Sequence, residues 1–151
     1  MNKSYKAYSL VELIIVVMFI GILAAISVPR IDFAIVSKQK LDTVAQKIAV
    51  DLRRTRRLAI ADAANNSNGF EMKMKGSQPY SGYEIENRET NEIVDSLTID
   101  SDISCTGGDT FEFGPMGNLT DEDCQLQVAA QGRSFTITII PATGMVKCVE
   151  N

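Results

Sequence analysis

The spacing of apolar residues changes twice along this chain, and each change marks a boundary. From Ser9 to Val28 the residues are almost all aliphatic, in the run Ser-Leu-Val-Glu-Leu-Ile-Ile-Val-Val-Met-Phe-Ile-Gly-Ile-Leu-Ala-Ala-Ile-Ser-Val. As a helix, a run of that length would cover ~30 Å of hydrocarbon, so residues 8–29 are expected to form a transmembrane helix. Beyond Pro29 the apolar positions Leu41, Val44, Ala45, Ile48, Leu52 and Ala59 recur at spacings of three and four. They fill one stripe of an amphipathic helix over residues 30–64, which Asn65-Asn66-Ser67-Asn68-Gly69 should stop. From Gly69 onward the period falls to two: Phe70/Met72/Met74, Tyr83/Ile85, Phe111/Phe113, Leu126/Val128 and Phe135/Ile137/Ile139. Turn clusters at 76–79, 106–109, 114–117 and 141–144 separate these runs. Residues 65–151 therefore read as a head of six or seven short antiparallel strands packed on the second half of the helix, an α+β fold.

Charge divides at the same boundary. Residues 1–64 hold ten Lys and Arg against five Asp and Glu, and residues 65–151 hold five against fourteen, balances of +5 and −9. A head this acidic repels phosphate backbones, so DNA binding is not expected of it. The arginines Arg53, Arg54, Arg56 and Arg57 fall on the polar side of the helix. They read as a solvated face or as a docking surface for an acidic partner. The chain has no histidine, which removes imidazole from base catalysis and metal ligation. No serine has a histidine partner, Asp121-Glu122-Asp123 lacks calcium-loop spacing, and Gly107-Gly108 lacks the context of a phosphate cradle. No catalytic residue, cofactor or metal is expected, and the chain does not read as an enzyme.

Lys3 and Lys6 precede the apolar run and favour a cytoplasmic N-terminus with the remainder outside, a single pass of the inner membrane. Glu12 interrupts the run, and a carboxylate there costs on the order of 2.5–3.5 kcal/mol on insertion scales, which makes it a functional candidate. A secretory signal peptide cut near Ala25-Ile26-Ser27 is the rival reading, weakened by Pro29 and by the charge at Glu12.

The segment Lys6-Ala7-Tyr8-Ser9-Leu10-Val11-Glu12-Leu13 resembles the class III signal of type IV pilins and type II secretion pseudopilins. The resemblance implies a leader of residues 1–7, cleavage by a prepilin peptidase between Ala7 and Tyr8, N-methylation of Tyr8, and an assembly role for Glu12. Ala7 stands where the family usually has glycine. The head is similar to the GspH/FimT-type minor pilin domain in Leu52–Ile60, Phe111–Gly117 and the Gly132–Lys147 segment. That likeness implies a pilin-like fold, with a long N-terminal helix packed on an antiparallel sheet, and partnership with other pilins through N-terminal helices. The implied function is a minor pilin or pseudopilin, initiating or capping a type IV pilus or type II secretion pseudopilus. A major subunit, or a membrane-anchored DNA- or ligand-binding protein of a DNA-uptake system, are the alternatives. With the head outside the cell's reducing interior, one disulfide is expected among Cys105, Cys124 and Cys148. Cys105–Cys124 closes the shorter loop across the Phe111–Phe113 hairpin, and Cys148 is the alternative partner of Cys124.

Overall fold

The computed structural model describes residues 9–27 and 33–151. The chain divides into two compact units, residues 1–32 and 33–151. The first contains helix α1 (Leu10–Ser27). The second contains helix α2 (Phe33–Ala61) and strands β1 (Phe70–Lys75), β2 (Gly82–Asn87), β3 (Glu92–Thr98), β4 (Ser104–Gly107), β5 (Thr110–Phe113), β6 (Gln125–Ala130), β7 (Arg133–Ile140) and β8 (Met145–Glu150).

This corrects the expectation of one long N-terminal helix with a transmembrane first half. Among the described residues there are two helices, and no helix is long and apolar enough to cross a membrane. The 18 residues of α1 rise about 27 Å at 1.5 Å each, short of ~30 Å of hydrocarbon, and Glu12 occupies the first turn. The expected single pass through the inner membrane is corrected with it. Residues 28–32, Pro29 included, lie outside the described residues.

The head holds two four-stranded antiparallel sheets where one was expected, ordered β3-β2-β1-β5 and β4-β6-β7-β8. α2 packs on both through Leu41, Ala45, Ile48, Ala49, Leu52 and Ala59, all fully buried. Leu41, Ala45, Ile48 and Leu52 follow steps of three or four, with Ala49 beside Ile48 and Ala59 two turns beyond Leu52, because that spacing keeps one helix face against a core. The strands supply the other half of the core at alternate positions: Met72, Tyr83, Ile85, Phe111, Phe113, Leu126, Val128, Ile137 and Ile139. Two connections decide the topology. β4 lies in the second sheet beside β6, with Cys105 opposite Val128. β5, two residues later, crosses to the first sheet and pairs with β1, Phe111 opposite Met72. β3 is the outer strand of the first sheet and carries a bulge at Val94, where the register shifts beside Ile85 and Glu86.

Candidate assembly surfaces and the polar joints of the head

α1 is apolar on every side. Leu10, Val11, Leu13 through Ile20, Ile22 and Leu23 are all exposed, between 48% and 75% of their surface. A helix that is hydrophobic all round is stable in water only when something covers it. Glu12 is the one charged side chain of α1 and is exposed. Ala7 and Tyr8, the expected processing site, lie outside the described residues.

The arginine row has mostly internal work. Arg53 donates from Nη2 to the Val146 carbonyl at 3.2 Å, and Arg56 donates from Nε to the Gly117 carbonyl at 3.0 Å. Arg54 forms an ion pair with Asp95 on β3, and that guanidinium holds the Asp95 carboxyl below the usual carboxylate range. Arg57 is exposed and makes no ion pair among the described residues. Of the four arginines expected as a solvated face or a docking surface, Arg53, Arg54 and Arg56 thus fasten α2 to β8, to β3 and to the 114–117 turn, while Arg57 stays on the solvated face. Helical periodicity put these side chains on the polar side, but it could not show that folded loops would reach them.

Arg56 is gripped closely. A β-carbon on Gly144 would collide with the Gly117 carbonyl, and one on Gly117 would collide with Ile60. Both glycines also have positive φ, +76° and +62° in chain order, so backbone freedom and close approach coincide here. Arg133, on β7, has its Nη2 2.6 Å from Glu150 Oε1 and 3.2 Å from Asp42 Oδ1, with its guanidinium 5.7 Å over the Phe135 ring. Glu150 beside it raises the Arg133 pKa further. Arg133 is therefore already paired with carboxylates.

Sequence reasoning missed three buried polar residues, of which Thr55 donates its hydroxyl to the Asp51 backbone carbonyl at 2.8 Å. Asp51, 2% exposed, accepts from the Tyr83 hydroxyl at 2.6 Å and from Lys47 Nζ at 2.9–3.0 Å. Burial, chiefly, together with that bond pushes the Tyr83 pKa far up. Asn66, 1% exposed, organises the junction between α2 and β1. Asp51 borders the apolar stripe three residues beyond Ile48, a signal that was present. Asn66 looked like one more residue of a stop sequence.

The three cysteines are free thiols. The expected Cys105–Cys124 bridge is corrected, because β5 leaves for the other sheet and the cysteines do not face each other across a hairpin. Cys124 precedes β6 by one residue, four positions from Val128, the partner of Cys105, or ~13 Å along the strand. Cys148 lies opposite Ile137, so β7 separates it from Cys124, ~10 Å by strand spacing. Both separations exceed the ~7 Å between α-carbons that a disulfide tolerates. Burial pushes the Cys105 thiol up to about 12, and raises that of Cys148 against the opposing charge of Arg53.

Among the described residues no group of three or more His, Cys, Asp or Glu is arranged to hold a metal ion. An open groove lined by Ser101, Asp102, Ser104, Gln131 and Arg133 carries charge, but its guanidinium is the one already paired. No family model, curated protein or solved structure matches the chain.

Proposed function

We propose that this chain is a structural subunit of a filament, of the minor pilin or pseudopilin kind, joined to like subunits through α1. The observation that carries the reading is the apolar surface of α1, exposed on all sides in the isolated chain with one carboxylate in its first turn. Helices of neighbouring subunits are the occupants that suit it. They cover an all-round apolar surface without leaving an edge, and they exclude water from Glu12. An excluded carboxylate needs a counter-charge. The amine of Tyr8, freed by a prepilin peptidase between Ala7 and Tyr8, supplies one from the adjacent subunit and selects a single axial register. The head then stands as the water-facing part, with a core closed on itself.

The test is assembly. Glu12→Ala in the full chain, expressed in its native host, is expected to leave the head folded by circular dichroism and to disappear from the sheared filament fraction. Glu12→Asp should restore part of the incorporation. Recovery of Glu12→Ala in filaments at the normal level would refute the pairing.

A further inference from the structure

The junction between α2 and β1 contains the chain's one Asn-Gly pair, Asn68-Gly69. We propose that Asn68 is a latent deamidation site which the buried side chain of Asn66 holds closed while the head is folded.

The chemistry is internal to the chain apart from water. The backbone nitrogen of Gly69, on losing its proton to solvent, attacks Cγ of Asn68. A bond forms from that nitrogen to Cγ, the bond from Cγ to Nδ2 breaks, and ammonia leaves with the proton returned to it. The five-membered imide that results is opened by water at either carbonyl. One opening gives aspartate. The other gives isoaspartate, in which the main chain runs through the side-chain methylene. The net change is one water consumed and one ammonia released. Glycine on the C-terminal side favours the attack, because no β-carbon crowds the nitrogen and the backbone reaches unusual angles freely.

Three features of the fold oppose that attack. Gly69 N–H donates to Asn66 Oδ1 at 2.7 Å, and Asn68 N–H donates to the same oxygen at 3.0 Å. The nitrogen that must lose its proton is therefore engaged, and the peptide between the two residues is clamped. Asn66 is itself fixed, since its Nδ2 donates to the Gly69 carbonyl at 2.7 Å and to Asn87 Oδ1 at 2.8 Å. The carboxamide under attack is tied as well, with Asn68 Nδ2 donating to Glu89 Oε2 at 2.8 Å. Arg88 adds a clamp from the β2–β3 turn, donating from Nη1 to the Asn68 carbonyl at 2.9 Å and from its backbone N–H to the Gly69 carbonyl at 3.1 Å. Asn68 itself is exposed, so solvent reaches the side chain that reacts.

The fold also explains why a reactive pair sits here. Gly69 has φ +78°, and a β-carbon there would collide with the Phe113 carbonyl, so β5 passes too close for any larger residue. Glycine is imposed by packing, and the hazard comes with it. Once formed, a carboxylate at position 68 would face Glu89 in place of the present hydrogen bond, so the product opposes closure of the same turn. Isoaspartate would lengthen the chain by one atom at the entrance to β1.

Incubation of the full chain at mildly alkaline pH, followed by peptide mass spectrometry across residues 63–73, tests the proposal. Native protein should remain unmodified over a period in which the same protein in urea converts at Asn68. Asn66→Ala, shown to be folded by circular dichroism, should deamidate roughly tenfold faster than native protein or more, as expected from losing ordinary hydrogen bonds that hold a local opening closed. Asn87→Ala, which frees the Asn66 amide without removing it, should lie between the two and serves if Asn66→Ala does not fold. Equal rates in native and urea-unfolded protein would overturn the gate. An unmodified Asn68 in urea would overturn the site, and a folded Asn66→Ala no faster than native would remove Asn66 from the role.

Discussion

A carboxylate as enclosed as that of Asp51 stays in a core only because the Tyr83 hydroxyl and the Lys47 ammonium both reach it. Tyr83→Phe would take the hydroxyl from Asp51 Oδ2 and leave that oxygen to Lys47 Nζ alone, at 2.9 Å, and is expected to cost about 1 kcal/mol in urea unfolding. An unchanged midpoint would show that water replaces the hydroxyl. The same interior sets a pH dependence. An acid whose folded pKa lies above its unfolded value supports folding fully below the unfolded value, and loses that support as pH rises. Cys105 moves from 9.0 to about 12, so stability should fall from about pH 9 toward 12, with Tyr83 adding to the decline above its ordinary value of 10.0. The loss should reach a few kcal/mol, read as a falling urea midpoint between pH 8 and 11, and Cys105→Ala should flatten it. In the native state Cys105 should also be the last thiol to alkylate, while all three should react in denaturant without reductant. Glu12 stood out in the sequence because it breaks an apolar run. Asp51 and Asn66 did not, because a polar residue at a helix border or in a stop sequence looks ordinary until its partners, thirty-two and twenty-one residues away, are in place.

The stripe on α2 and the alternation in five strands were legible, because helix and strand each impose one repeat on any buried face. Three strands lacked that signature. β3 is exposed on nearly every residue and bulged, β4 has four residues, and β8 buries Val146 but little else. Alternation also gives no information on which sheet a strand joins. That gap produced the disulfide expectation, which required β5 to stay beside β4. The arginine fasteners make separate predictions for one helix face. Arg56→Ala should destabilise the head by ~1 kcal/mol, through loss of the bond to the Gly117 carbonyl and of packing by its stem. Arg57→Ala should change stability by less than ~0.5 kcal/mol. Gly144→Ala meets both a positive φ and the Gly117 carbonyl, and should cost ~3 kcal/mol or more. Equal effects of Arg56→Ala and Arg57→Ala in thermal unfolding would show that the clasp carries no energy.

For the molecule as a whole, the split of charge outlasts folding. The second unit, residues 33–151, holds twelve Lys and Arg against seventeen Asp and Glu, a balance of −5, and its Arg53, Arg54, Arg56 and Arg133 are bound to partners within it. Full-length protein titrated with duplex DNA at physiological salt is therefore expected to show no micromolar binding, and a salt-resistant complex would contradict this. What the sequence conveyed poorly at this scale was the N-terminal region, expected as one long helix, where the described residues form two, Leu10–Ser27 and Phe33–Ala61. The methionines offer a way to watch α1. Met72 and Met74 are sealed in the core, whereas Met18 on α1 is 63% exposed and Met116, on the 114–117 turn, 89% exposed. Dilute peroxide converts accessible thioethers to sulfoxides and spares enclosed ones. On free subunits it should mark Met18 and Met116 alike. On filaments joined through α1 it should mark Met116 and leave Met18 untouched, so two sulfur atoms already in the chain record whether neighbours cover α1.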